Sequence, residues 1–276
     1  MKKLSILFLG LLLLASCKKE PKYVFYFIGD GMGAYEVLAT QMYNAELKGN
    51  IGIEPLCFTQ FPVASLVTTY SATNGVTDSA AAGTALATGH KTKNGAIGVV
   101  NDTTKVKSIA YWAQENGYKV GISTTVGVNH ATPAAFYAHT DDRDSYEVIT
   151  EQLIAAGQIS FAAGSALLNE KRKTGHDSAY LENMVKEAGI AVVYGKEGIA
   201  GTDMAALQQR VLCLDVPGGS DDLTPAINRR GGETELTDFV KAGIDYLYGH
   251  FAEKGFFFMV EGGAIDHFGH NDDAAS

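Results

Sequence analysis

Cysteine is scarce in this chain, with three in 276 residues, and that excludes a disulfide framework as the basis of the fold. Proline is also scarce, with six residues and no proline-rich linker. With no internal repeat and no low-complexity stretch, one domain is the simplest account. Basic charge is the minority sign. Lys and Arg number 22 against 31 Asp and Glu, a net charge of -9 and a pI near 5.2. That balance argues against nucleic acid as a partner, because phosphate backbones are held by clustered Lys and Arg. It leaves room for a small phosphorylated substrate, since a buried metal cluster inverts the local field. What is present is ample apolar material, 46% of residues, enough for a sizeable globular core.

The first residues read as an export signal. Lys2 and Lys3 form a positive start, and the apolar run Leu4 to Ala15 is too short to span a bilayer as a stable helix. It ends in Leu14-Ala15-Ser16-Cys17, which resembles the bacterial lipobox, a signal whose cleavage leaves the cysteine as an acylated N-terminus. An ordinary secretory signal with an incidental cysteine is the other reading, and both export the protein. The expectation is a signal peptide over 1–16, a tether over 17–22 and a membrane attachment through lipid on Cys17. The protein would then be periplasmic or an outer-membrane-anchored lipoprotein of a bacterium. Cys57 and Cys213 sit in apolar surroundings and read as buried free thiols.

From Tyr23 the chain alternates. Tyr23 to Ile28 is an apolar, aromatic run that reads as a buried strand. Similar runs recur at Lys119 to Thr124, Ala191 to Tyr194, Val211 to Val216 and Phe256 to Val260. Helical spacing lies between them, at Val106 to Asn116, Tyr146 to Ala156, Ser178 to Ala188 and Glu233 to His250. Strands alternating with helices predict an α/β three-layer sandwich around a mostly parallel sheet. Such sheets bind ligands at the carboxyl ends of their strands, so the residues just after each strand carry the interest.

Four clusters stand there. Asp30 follows the first strand within Gly29-Asp30-Gly31-Met32-Gly33. It suits a divalent cation, and it also suits a plain turn. Thr77-Asp78-Ser79-Ala80-Ala81 puts a hydroxyl at the start of an Ala-rich helix, where free N–H groups favour an anion. Asp78 or Ser79 serves equally as an ordinary helix cap. His130-Ala131-Thr132-Pro133 follows a strand, with Arg143 beyond it. A guanidinium can clamp phosphate oxygens, while Asp141-Asp142-Arg143-Asp144 also reads as a surface ion pair. Glu261-Gly262-Gly263-Ala264-Ile265-Asp266-His267-Phe268-Gly269-His270 follows the last strand. A helix starting near Asp266 would bring Asp266 and His270 onto one face, a carboxylate and an imidazole that suit zinc.

In this order, and with Ala87-Thr88-Gly89-His90-Lys91-Thr92-Lys93-Asn94-Gly95 downstream of Ser79, the clusters resemble the alkaline phosphatase family from about Tyr23 onward. The resemblance implies hydrolysis of phosphate monoesters through a phosphoserine, with two Zn2+ and one Mg2+. It implies that Ser79 is the nucleophile, that Arg143 binds the non-bridging phosphate oxygens and that Asp78 orients Arg143. By the same resemblance Asp30 bridges one zinc and the magnesium, and Ser79 also faces zinc. Asp266 and His270 hold the other zinc, and Thr132 and Glu261 belong to the magnesium site. His130, where some members carry Asp, contacts or tunes the magnesium shell, and His267 lies at most outside it. Small phosphomonoesters are the implied substrates, and a homodimer is compatible. His90, His139, His176 and His250 receive no role.

Members of that family continue considerably further, and their remaining zinc ligands are an adjacent Asp-His pair and a later lone His. The expectation is therefore a family domain over 23–276 that is incomplete at its C-terminus, inactive when expressed alone and exposing an apolar sheet edge. Two other readings stay open. One is a related phosphodiesterase, sulfatase or phosphoglycerate mutase; the other is a surface lipoprotein that binds metal or phosphate without turnover.

Overall fold

Alternating apolar side chains build the centre of the molecule. The computed structural model describes residues 21–275 except 102, 252 and 253. The expected signal peptide over 1–16 and Cys17 lie outside the described residues. Six strands form one sheet: β1 (Tyr23–Gly29), β4 (Lys119–Thr124), β5 (Ile159–Gly164), β6 (Ala191–Tyr194), β7 (Val211–Leu214) and β8 (Phe256–Gly262). Two short strands, β2 (Val99–Val100) and β3 (Thr104–Lys105), form a separate antiparallel pair. The sheet runs β1-β8-β4-β5-β7-β6, and every neighbouring pair is parallel.

Parallel strands need crossovers, and helices supply them. They include α1 (Ala34–Leu47), α2 (Ser79–Thr88), α3 (Ile109–Glu115), α4 (Ala131–Ala134), α5 (Tyr146–Ala155), α6 (Lys171–Thr174), α7 (Ser178–Glu187), α8 (Gly195–Gly201), α9 (Leu236–Phe251) and α10 (Ala264–His270). The period-2 alternation of a strand is explicit along β8. Phe257 and Met259 join the core formed with Ala80, Ile122, Phe136 and Ile149. Phe256, Phe258 and Val260 join the opposite core with Phe161, Phe239 and Leu247 of α9. The result is the predicted three-layer α/β sandwich.

The same parity positions the chemistry. On β1, Val24, Tyr26 and Ile28 pack toward the first core, as Val120 and Ile122 do on β4. Two residues on in each case come Asp30 and Thr124, and two residues beyond Met259 comes Glu261. Ile28 and Thr124 are both in register with Glu261. Three polar side chains therefore reach one face at the carboxyl ends of three adjacent strands.

Several sequence expectations change. The β5 strand escapes the sequence reading because Ser160, Ala162, Ala163 and Gly164 dilute its apolar signal, yet all six residues are buried. Helix α1 also went unread; it buries only Gln41 and Ala45, too little to mark a face. Cys213 is buried as expected, but Cys57 is exposed. The correction has a simple cause: Cys57 starts a single 3-10 turn in which no residue is buried. The apolar edge is real. Tyr23, Phe25 and Phe27 on edge strand β1 are 38%, 38% and 68% exposed. No helix among the described residues is long and apolar enough to cross a membrane.

Candidate active site

The nucleophile candidate owes its position to its neighbour. Asp78 is the residue that caps α2, its carboxylate accepting from the Ala81 amide at 2.9 Å. Ser79 is thus the first helical residue, free of capping duty, and its hydroxyl donates to Asp30 Oδ2 at 2.8 Å. The helix closes at Gly89, whose φ of 76° suits a left-handed C-cap that other residues resist. Ser79 is 8% exposed, so it is largely shielded from solvent.

Asp30 joins two elements. Its carboxylate also lies 3.5 Å from the Thr132 hydroxyl on α4. The turn that carries it requires glycine next in sequence: Gly31 has a φ of +64°, and a Cβ there would sit 2.7 Å from the Asp266 Cα. This close approach brings α10 against the end of β1. Burial pushes the Asp30 carboxyl up, the Ser79 hydrogen bond lowers it, and the nearby Asp266 charge raises it again.

Glu261 is fully buried, with Thr124 Oγ1 donating to its Oε2 at 2.5 Å. Its other oxygen, Oε1, has no hydrogen-bond partner among the described residues. Burial pushes its carboxyl up to about 7, and the Thr124 hydroxyl and the Asp30 charge act in opposite directions on it.

Arg143 is not the surface ion pair its acidic neighbours suggest. Nη1 donates to Asp78 Oδ2 at 3.1 Å and Nη2 donates to His130 Nε2 at 3.1 Å. A guanidinium only donates, so Nε2 of His130 accepts and the proton of the neutral ring sits on Nδ1. That Nδ1 is buried and has no hydrogen-bond partner among the described residues. Burial, then the Arg143 and His267 charges, hold His130 down at about 3. The Asp78 carboxylate takes a third donor, the Gly95 amide at 2.9 Å, which explains why the segment after α2 folds back on its start.

Asp266 and His270 do share a face of α10, with His270 Nε2 3.5 Å from Asp266 Oδ2. His267 turns elsewhere. Its Nδ1 meets Asp222 Oδ1 at 2.7 Å, and its ring lies edge-on to His130 at 5.3 Å.

The donor chemistry can be tested against the implied metals. Asp30, Thr132 and Glu261 present oxygen only, and the buried Glu261 Oε1, without a hydrogen-bond partner among the described residues, is an acceptor suited to a cation. This set fits a hard ion such as magnesium. Asp266 with His270, and Asp30 with Ser79, each offer two donors. Among the described residues, no three His, Cys, Asp or Glu are grouped to hold a metal.

Two residues of the cluster escape the sequence reading. Thr124 is findable, being the last residue of a strand in a parallel sheet. Asp222 stands in a Gly-Gly-Ser-Asp-Asp loop without any signal. A separate cavity of about 510 Å³, lined by Lys105, Tyr111, Tyr137 and His139 among others, includes none of the candidate site residues.

A family model for alkaline phosphatase matches residues 21–276. The chain is similar to alkaline phosphatase 4 of Bacillus subtilis, at 34% identity over 94% of this chain and 56% of that enzyme. Similarity extends to the human tissue-nonspecific alkaline phosphatase, at 32% identity over 92% of this chain and 56% of that enzyme. The chain spans about half the length of these curated relatives. Among solved structures, an alkaline phosphatase variant from TAB5, with a histidine changed to glutamate and Mg bound in the M3 site, superposes with a TM-score of 0.73. Its identity is 29%, over 92% of this chain and 68% of that one. A six-stranded parallel sheet, a capped serine helix at its carboxyl edge and these matches agree: the chain belongs to the alkaline phosphatase family.

Proposed function

We propose that this site hydrolyses phosphate monoesters through a phosphoserine on Ser79. The observation that carries it is the division of labour at α2. Asp78 caps the helix, so the Ser79 hydroxyl is left to meet Asp30 at 2.8 Å.

The roles follow from the contacts. Ser79 Oγ, hydrogen-bonded to Asp30 Oδ2, attacks phosphorus; the ester P–O bond breaks and the serine proton leaves with the alcohol. Water then attacks the phosphoserine, the P–Oγ bond breaks, one water proton returns to Ser79 Oγ and inorganic phosphate is released. Arg143 donates to the non-bridging oxygens, where charge collects in phosphoryl transfer. Asp78 and His130 hold its guanidinium in plane, one anchor on each terminal nitrogen. Asp30, Thr132 and Glu261 would hold Mg2+, with His130 beside them. Asp266 and His270 would contribute to one Zn2+, Asp30 and Ser79 to the other. Bound divalent cations supply nucleophile activation and charge neutralisation. The Mg bound in the TAB5 variant supports the oxygen site.

We propose further that the protein is exported, tethered by lipid on Cys17 and active on small phosphomonoesters. The test of function uses protein purified from its own cells. Rates on p-nitrophenyl phosphate, its bis-ester and p-nitrophenyl sulfate are compared, with the monoester expected to lead by orders of magnitude. A faster diester or sulfate overturns the reading.

A further inference from the structure

We propose that Asp222 is a positioning residue for the phosphate clamp, acting through His267 and His130 on Arg143; the inference rests on the reading of Ser79 and Arg143 given above. The contacts form one line. Asp222 Oδ1 accepts from His267 Nδ1 at 2.7 Å. The His267 ring abuts His130 edge-on at 5.3 Å, and His130 Nε2 accepts from Arg143 Nη2 at 3.1 Å. Asp78 holds the other end of the guanidinium, so the plane of Arg143 is set by two anchors, one of which leans on His267.

Both partners of the first bond are referenced to the same point on the sheet. The backbone around Asp222 bridges Val126, and the Leu223 amide donates to the Thr125 carbonyl at 2.9 Å. The Ala264 amide, at the start of the helix that carries His267, donates to the Thr125 hydroxyl at 2.9 Å. Ser220 Oγ donates to the Asp222 carbonyl at 2.8 Å and stiffens the loop. A carboxylate fixed in this way selects one orientation of an imidazole, as outer partners of site histidines generally do. Without it, the exposed side of the His267 ring is free to rotate, and His130 loses its backing.

The test is a double-mutant cycle read by calorimetric binding of inorganic phosphate to the metal-loaded protein from its own cells and its variants. Asp222→Ala and His267→Ala should each weaken phosphate ~5-fold, and the double variant should bind no worse than His267→Ala, because interacting residues are non-additive. Asp222→Asn, whose side-chain oxygen still accepts from Nδ1–H, should stay within about twofold of the wild type. In hydrolysis the same variants should raise KM more than they lower kcat. Wild-type binding by Asp222→Ala, or losses that multiply in the double variant, overturns the proposal. A phosphate-independent reading comes from NMR: Asp222→Ala should shift the ring protons of both His267 and His130, and an unmoved His130 breaks the line. If wild-type protein binds phosphate with this coupling yet does not hydrolyse monoesters, the catalytic reading fails and the positioning role stands.

Discussion

Thr124 and Glu261 face each other across the parallel pairing of β4 and β8, and the Thr124 hydroxyl donates to Glu261 Oε2 at 2.5 Å. One oxygen of a fully buried carboxylate is thereby satisfied, while Oε1 has no hydrogen-bond partner among the described residues. A half-satisfied carboxylate in a dry site is costly when ionised.

The consequence is a pH dependence in metal-free protein. Burial pushes the Glu261 carboxyl up to about 7, well above the ordinary glutamate range, so the fold prefers the protonated form. Its stabilising contribution is complete below the unfolded value and is lost as pH rises through about 7. His130 works the other way: held down at about 3 from 6.5, it costs stability as pH falls below its unfolded value. Comparison with Glu261→Gln isolates the carboxylate. In EDTA, the wild type should melt close to Glu261→Gln at pH 5 and clearly below it at pH 8. Magnesium should close the gap at pH 8 by raising only the wild type. A gap that does not change with pH contradicts the buried-carboxylate account.

Asp78 predicts a split between stability and chemistry. It caps α2 through Oδ1 and takes the Gly95 amide and Arg143 on Oδ2. Asp78→Ala should destabilise the protein by roughly 2–3 kcal/mol, a cap plus a hydrogen bond. Asp78→Asn keeps the capping oxygen and should lose about 1 kcal/mol. Urea unfolding measures both, and equal losses would show that the cap carries none of the stability.

Arg143 should matter far more to turnover than to folding. Removing one donor from developing charge typically costs 10²–10³ in rate, so Arg143→Ala should lower kcat/KM by about that factor. Lysine cannot reproduce the two-point anchoring to Asp78 and His130, and Arg143→Lys should recover only a minor part. Steady-state kinetics with p-nitrophenyl phosphate decide it, and a fully active lysine variant would remove the fixed fork from the mechanism.

How much of this could be read from the residues follows from where each signal lives. The sheet was legible because buried parallel strands are continuous apolar runs, and the strand-end rule then pointed to Asp30, Thr132 and Glu261 as neighbours, whereas Ser79, which follows no strand, was visible only as the start of an Ala-rich helix. The rule does not choose between cap and nucleophile at Asp78-Ser79; that needed the side-chain geometry. Arg143 was visible only by family resemblance, since its partner Asp78 is 65 residues away and three acidic neighbours offered a simpler pairing. Asp222 was invisible, because a loop aspartate acquires meaning only when tertiary structure brings His267 to it. Cys57 was misread for the opposite reason: apolar neighbours imply burial only where a helix or strand turns them inward.

The central claim is that Ser79 accepts the phosphoryl group, and trapping tests it most directly. Protein from its own cells is incubated with ³²P-labelled phosphate or monoester, quenched in acid and digested, and the labelled peptide is sequenced. The account predicts stoichiometric phosphoserine at Ser79 and none in Ser79→Ala, whose melting temperature stays within a few degrees because Asp78 still caps the helix. Undiminished hydrolysis by Ser79→Ala, or label on any other residue, would contradict it.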